Sequence, residues 1–161
     1  MGRFVPEKNF HQLINAFSEL NRHDYKLVLA GDADHEDDYS RSLKQQGEKN
    51  GVVLTGFIKG EKLYSLLTHA YAFVLPSSHE GLPISLLEAM SYDLPVLVSD
   101  IPANLEVGLP HEFYFPVGNE EKLVEKLEEL IDKTPIKCKY PLENYRWENI
   151  AKETIKVYEK I

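Results

Sequence analysis

The chain has 161 residues, 43% hydrophobic and 27% charged, which suits one globular domain with a core of its own. Its 18 basic and 26 acidic residues leave a net charge of -8, which disfavours a broad nucleic-acid-binding surface but leaves room for a local anion site. The single Cys138 forms no internal disulfide, Met1 to Lys8 lacks the apolar stretch of a signal peptide, and no run approaches the ~20 apolar residues of a membrane span, so a soluble cytoplasmic protein is expected.

Two periodicities alternate along the chain. Phe10, Leu13, Ile14, Phe17 and Leu20 fall at helical spacing, with Asn9 as the predicted N-cap. Tyr25 to Ala30 reads as a buried parallel strand entering a loop at Gly31-Asp32, and Glu36 to Asn50 as a polar helix. The strand Val52 to Thr55, a turn at Gly56, a helix from Glu61 to Ala70 and the strand Tyr71 to Leu75 follow. Pro76 ends that strand, and Pro83 is expected at the first position of the next helix, where its fixed φ and missing N–H are harmless. Beyond it come the strand Pro95 to Ser99, a short segment at Ala103 to Glu106, the strand Phe113 to Phe115, a helix Glu120 to Asp132 capped by Asn119, and a last helix from Trp147 to Lys160.

Strict alternation with short connections predicts the α/β class: a Rossmann-like, doubly wound parallel sheet covered by helices on both faces. Ligands of such sheets sit beyond the carboxyl ends of the strands. That rule points to Arg3 to Lys8, Gly31-Asp32, Gly56 to Ile58, Ser77 to Pro83 and Ser99 to Pro102.

The stretch Glu80-Gly81-Leu82-Pro83-Ile84-Ser85-Leu86-Leu87-Glu88 places two carboxylates near one helix N-terminus. Such an end carries roughly half a positive charge and unpaired N–H donors, so it can hold a phosphate, while a neighbouring carboxylate can accept from a neutral diol. Acidic residues also occur there simply because they complement the helix dipole. Arg3 and Lys8, at another turn into a helix, can neutralise a pyrophosphate and the charge that grows on it when a bond breaks; the alternative is a pair of solvated surface cations.

Gly2-Arg3, Lys8-Asn9, Leu13 to Phe17, Leu29 to Asp32, Leu54 to Phe57, Pro76 to Pro83, Glu88-Ala89-Met90 and Pro95-Val96-Leu97 together resemble the donor half of family 4 (group 1) retaining glycosyltransferases, end to end through Tyr145-Arg146-Trp147. The resemblance implies the C-terminal domain of a GT-B enzyme, with residues 1–161 forming one nucleotide-sugar donor-binding domain. By position, Arg3 and Lys8 match the pair that binds the donor pyrophosphate, and Glu80 the carboxylate beside the donor sugar. Glu88 matches the ribose-binding carboxylate, Gly81, Leu82 and Pro83 the backbone near the sugar, and Ile84, Ser85 and Leu87 that near the phosphates. Phe57 and Ile58 match the base pocket. The family generally needs no metal or other cofactor, and none is expected here.

Two departures accompany the resemblance. Many members carry Gly where Pro83 stands, which removes one possible N–H donor. The family's acceptor-binding domain and most of the first strand of this domain would precede Gly2, so a donor domain with little transfer activity of its own is expected, any membrane contact coming through the absent half or a lipid-linked acceptor. A non-catalytic nucleotide-sugar-binding module and an epimerase of the same architecture stand as alternatives.

Among the remaining groups, His79 is expected as an exposed loop residue, and the acidic run Asp32 to Asp38 as a solvated loop and helix start, because it lacks the Gly and final Glu of a calcium loop. Trp147, Tyr145, Ile155 and Tyr158 suggest a domain interface laid bare.

Overall fold

The computed structural model describes residues 1–132 and 138–159. Five parallel strands and seven α-helices are found among them: α1 (Phe10–Glu19), β1 (Val28–Ala30), α2 (Asp38–Lys49), β2 (Val53–Gly56), α3 (Glu61–His69), β3 (Phe73–Leu75), α4 (Ile84–Ser91), β4 (Val96–Ser99), α5 (Pro102–Leu105), β5 (Tyr114–Phe115), α6 (Glu120–Asp132) and α7 (Trp147–Tyr158). The final helix was expected to reach Lys160, which lies outside the described residues.

The strands form two sets, β2-β1 and β3-β4-β5, every pair parallel. The expected single sheet is therefore interrupted. A cavity of about 550 Å³ separates β1 from β3, lined by Tyr25 to Ala30 on one side, Ala70 to Val74 on the other, and Met1. The Tyr25 and Tyr71 rings meet edge to face across it, 5.0 Å between centroids. Both flanking strands are shorter than their apolar runs: a run extends wherever the residues are apolar, whereas ladder hydrogen bonds need a partner, and here each strand has one on a single edge.

Alternate side chains of the central strand feed two cores. Leu97 joins Phe10, Leu13, Ile14, Leu29, Leu43, Phe115 and Leu123 on the face of α1, α2 and α6; Val96 and Val98 join Leu67, Phe73, Leu75, Leu86, Met90 and Tyr114 on the face of α3 and α4. All four β4 residues are buried. This is the doubly wound burial pattern, in which both faces of a strand must be apolar. Side chains cap two of the helix starts: Asp37 and Ser40 form a reciprocal capping box on α2, and Asn119 accepts from the Lys122 N–H at 2.9 Å.

α7 differs from the other long helices. None of its described residues is buried, and Trp147, Ile155 and Tyr158 are largely exposed, the apolar stripe anticipated from the sequence.

Candidate functional site

Because β1 and β2 are parallel, the loops after them leave from the same end, and the opening segment bonds both to the end of β1 and to the loop after β3. The opening segment is brought there by backbone hydrogen bonds. The Gly2 and Phe4 N–H groups donate to the Ala30 and Asp32 carbonyls, each at 2.9 Å, so residues 2 to 4 run alongside the end of β1 in its own direction. Only glycine allows this approach: a Cβ on Gly31, whose φ is +141°, would lie 1.8 Å from the Gly2 carbonyl oxygen.

A turn of 3-10 helix, Pro6–Lys8, then meets the loop after β3. The Ser78 N–H donates to the Glu7 carbonyl at 2.8 Å, and Asn9 Nδ2 donates to the Pro76 carbonyl at 3.2 Å. Asn9 occupies the N-cap position of α1 but does not cap it with its side chain. Its backbone is left-handed at φ +49°, which asparagine tolerates, and its amide points to the neighbouring loop.

These bonds place Lys8 Nζ 2.6 Å from Glu80 Oε1, with the two side chains 18% and 9% exposed. The same carboxylate oxygen accepts from Ser77 Oγ at 2.7 Å. Glu80 Oε2 has no partner among the described residues.

α4 begins four residues beyond Glu80. Pro83 is its N-cap residue, at φ -77° and ψ 69°, and not its first helical residue as expected: its carbonyl already accepts from the Leu86 and Leu87 N–H groups. No side chain caps this end, no acidic residue lies in its first turn, and the Ser85 N–H has no acceptor among the described residues. The helix start is thus an unneutralised positive end of a dipole beside the Lys8–Glu80 pair.

The other anticipated residues are distributed less tightly. Arg3 pairs with Asp34 at 3.2 Å on the surface and makes no direct contact with Lys8 or Glu80. Glu88, fifth in α4, is exposed, and its carboxylate has no partner among the described residues; Gly81, Leu82 and Ile84 are exposed beside it. Phe57 is exposed just beyond the end of β2, with Ile58 half-buried. His79 is exposed.

The acidic run after β1 has structural work. Lys44 bonds Asp32 and holds its carboxyl below the usual range, Glu36 also pairs with Lys44, Asp37 caps α2, and Asp38 pairs with Arg41. Asp32 and Asp34 do stand in Asp-x-Asp spacing, but each faces a cation of the chain, and no group of three or more acidic, His or Cys side chains suited to a metal occurs among the described residues.

The strand-end rule nominates Ser77 and Ser99 but not Ser77's contact with Glu80, nor Asn104 behind them. A Pro-Ser-Ser loop and a strand ending in Ser carry no periodic signal. Their full burial is a tertiary fact.

A sequence profile of the glycosyl transferases group 1 family matches residues 1–154. An uncharacterized glycosyltransferase of Methanocaldococcus jannaschii is 33% identical over 98% of this chain and 43% of its own length. The O-antigen chain mannosyltransferase B of Escherichia coli is 35% identical over 66% of this chain and 29% of its own. The chain thus spans less than half the length of these relatives. Among solved structures, Anabaena HepE in complex with UDP superposes with a TM-score of 0.81 at 21% identity, covering 99% of this chain and 48% of that one. The catalytic domain of the cholesterol-alpha-glucosyltransferase of Helicobacter pylori gives 0.71 at 21% identity, covering 100% and 96%. No described helix is long and apolar enough to cross a membrane. With its profile match, a relative aligned across 98% of its residues and a parallel α/β fold shared with GT-B enzymes all in agreement, the chain belongs to the group 1 glycosyltransferases.

Proposed function

We propose that this chain is the donor-binding half of a retaining glycosyltransferase and holds a nucleoside-diphosphate sugar across the carboxyl ends of its strands. The observation that carries the reading is the Lys8–Glu80 pair, nearly enclosed, beside the uncapped start of α4. A cation, a carboxylate with one free oxygen and an uncapped helix start whose Ser85 N–H is open together match a diphosphate linked to a polyhydroxylated ring. HepE, solved with UDP, and the mannosyltransferase of O-antigen chains support this class of ligand and a place in polysaccharide synthesis.

In this reading Lys8 and the N–H groups from Ile84 through Ser85 to Leu87 bind the diphosphate. Arg3 joins them by leaving Asp34, because an exposed ion pair contributes less than about 1 kcal/mol and a diphosphate outcompetes it. Glu80 accepts from the sugar hydroxyls near Gly81, Leu82 and Pro83. Glu88 accepts from the ribose, and Phe57 and Ile58 flank the base. Transfer breaks the bond between the anomeric carbon and the diphosphate oxygen and forms one to the acceptor oxygen on the same face. The acceptor's proton passes to the departing diphosphate. Lys8, Arg3 and the helix end carry the charge that develops, so no metal is required.

The acceptor groups belong to another domain, so the isolated chain binds donor and transfers little. Cytoplasmic placement, at the inner face of a membrane when the acceptor is lipid-linked, follows from the same reading. Calorimetric titration with UDP, GDP and ADP, with and without EDTA, tests it. At least one should bind, EDTA should leave its affinity unchanged, and Lys8→Ala and Glu88→Ala should each weaken it at least about tenfold. Absence of binding to all three, or parent affinity in both variants, overturns the assignment.

A further inference from the structure

A buried line of hydroxyl and amide groups runs from α5 to the Glu80 carboxylate. Asn104 Nδ2 donates to the carbonyl and hydroxyl oxygens of Ser99, at 2.9 and 3.1 Å. Ser99 Oγ donates to the Ser77 carbonyl at 2.5 Å, and Ser77 Oγ donates to Glu80 Oε1 at 2.7 Å. Asn104, Ser99 and Ser77 are all 0% exposed. Burying polar groups costs free energy unless they are paired; each of these three directs a donor toward the next, while Asn104 Oδ1 is buried without a partner among the described residues. The direction is fixed, because reversing the Asn104 amide would set its Oδ1 against the Ser99 carbonyl.

We propose that Ser77 is a positioning residue that holds Glu80 in the orientation that receives the donor sugar, with Ser99 and Asn104 holding Ser77. This rests on the donor-site reading above. Lys8 and Ser77 share one carboxylate oxygen in the unliganded chain. Once Lys8 turns to a diphosphate, the Ser77 hydroxyl is the remaining bond on the Glu80 side chain, which otherwise rotates about three single bonds. An ionised carboxylate only accepts, so with Oε1 fixed by Ser77, Oε2 faces the ligand as an acceptor for sugar hydroxyls. Ser77 therefore acts on the sugar and leaves the bare diphosphate untouched.

The test compares a diphosphate with its glucose or mannose ester: UDP with UDP-glucose, GDP with GDP-mannose, and ADP with ADP-glucose, by calorimetry on the 161-residue chain. Ser77→Ala is expected to weaken the nucleotide sugar about fivefold while shifting the matching diphosphate less than about twofold, the effect of one net hydrogen bond. Ser77→Thr, which keeps the hydroxyl, should restore the difference. In a Glu80→Ala background Ser77→Ala should change nothing, which a general loosening of the loop would not produce. If Ser77→Ala does not fold, Ser99→Ala, which frees the Ser77 carbonyl, is expected to act in the same direction with a smaller loss. Equal weakening of both ligands, or an undiminished loss in the Glu80→Ala background, overturns the positioning role while leaving the donor site standing. Failure of the parent to bind any of the six ligands removes the donor-site reading and this role with it.

Discussion

Lys8 Nζ and Glu80 Oε1 stand 2.6 Å apart although 72 residues separate them in the chain. With only 9% of the Glu80 side chain exposed, the pair is more than a surface contact. Removing one partner of such a pair leaves the other charge poorly solvated, which is costlier than removing both. Lys8→Met is therefore expected to lower stability by about 2 kcal/mol, and adding Glu80→Gln should recover most of the loss. Urea unfolding of the two single variants and the double variant measures the coupling. Strict additivity would mean that the two side chains do not depend on each other.

The close approach of Gly2 to Gly31 gives a second prediction. Gly31→Ala would force a Cβ into the Gly2 carbonyl at a left-handed φ, displacing the segment that carries Arg3 and Lys8. A stability loss of about 3 kcal/mol is expected, together with loss of diphosphate binding. Gly51 also has a positive φ, of +68°, but nothing lies within 4 Å of its Cβ position. Gly51→Ala should cost only about 1 kcal/mol and leave binding intact. Equal effects on binding at the two positions would disconnect the Gly2–Gly31 contact from the site.

Two asparagines show how far the sequence could be read. Both Asn9 and Asn119 precede a helical pattern, and both were expected to cap it. Asn119 does, because its own helix supplies the Lys122 N–H. Asn9 instead donates to Pro76, a partner 67 residues away that no local pattern reveals. The same divide runs through the fold. Helices α1 and α6 and the strand segments are legible because their apolar spacing is local, and Glu80 with Glu88 because one loop and one helix carry both. The interruption between β1 and β3, the pairing of Arg3 with Asp34, and the Ser77–Ser99–Asn104 line depend on which segments meet.

That contrast is itself testable. Asn119→Ser should keep stability near the parent, and Asn119→Ala should cost about 1 kcal/mol. Asn9→Ser offers an equally good capping residue, yet it removes the amide that holds the Pro76 loop. It is expected to lower stability and diphosphate affinity together, read by thermal unfolding and calorimetry. Parent behaviour in Asn9→Ser would show that the Asn9–Pro76 bond does not organise the Lys8–Glu80 contact.

The Met1 amine gives a pH dependence of known sign. Burial beside the β1–β3 cavity, reinforced by the charge of Lys8 and opposed by Glu80, lowers its pKa from the usual 8.0 to about 5. Between these values the unfolded chain binds a proton that the folded chain does not. This contribution to stability is therefore complete above pH 8 and is lost as the pH falls towards 5, with a slope of at most about 1.4 kcal/mol per pH unit. Acetylating the amine should flatten the slope. An apolar, β-branched strand of six residues fused ahead of Met1 should do more, because the Gly2 and Phe4 bonds already set the direction of pairing with β1, and the cavity offers unpaired edges on both sides. That fusion is expected to raise stability by at least about 1 kcal/mol through apolar burial, whereas a Gly/Ser extension of equal length should only remove the pH slope. If both extensions stabilise equally, the charge of the amine and not the open sheet edges accounts for the gain.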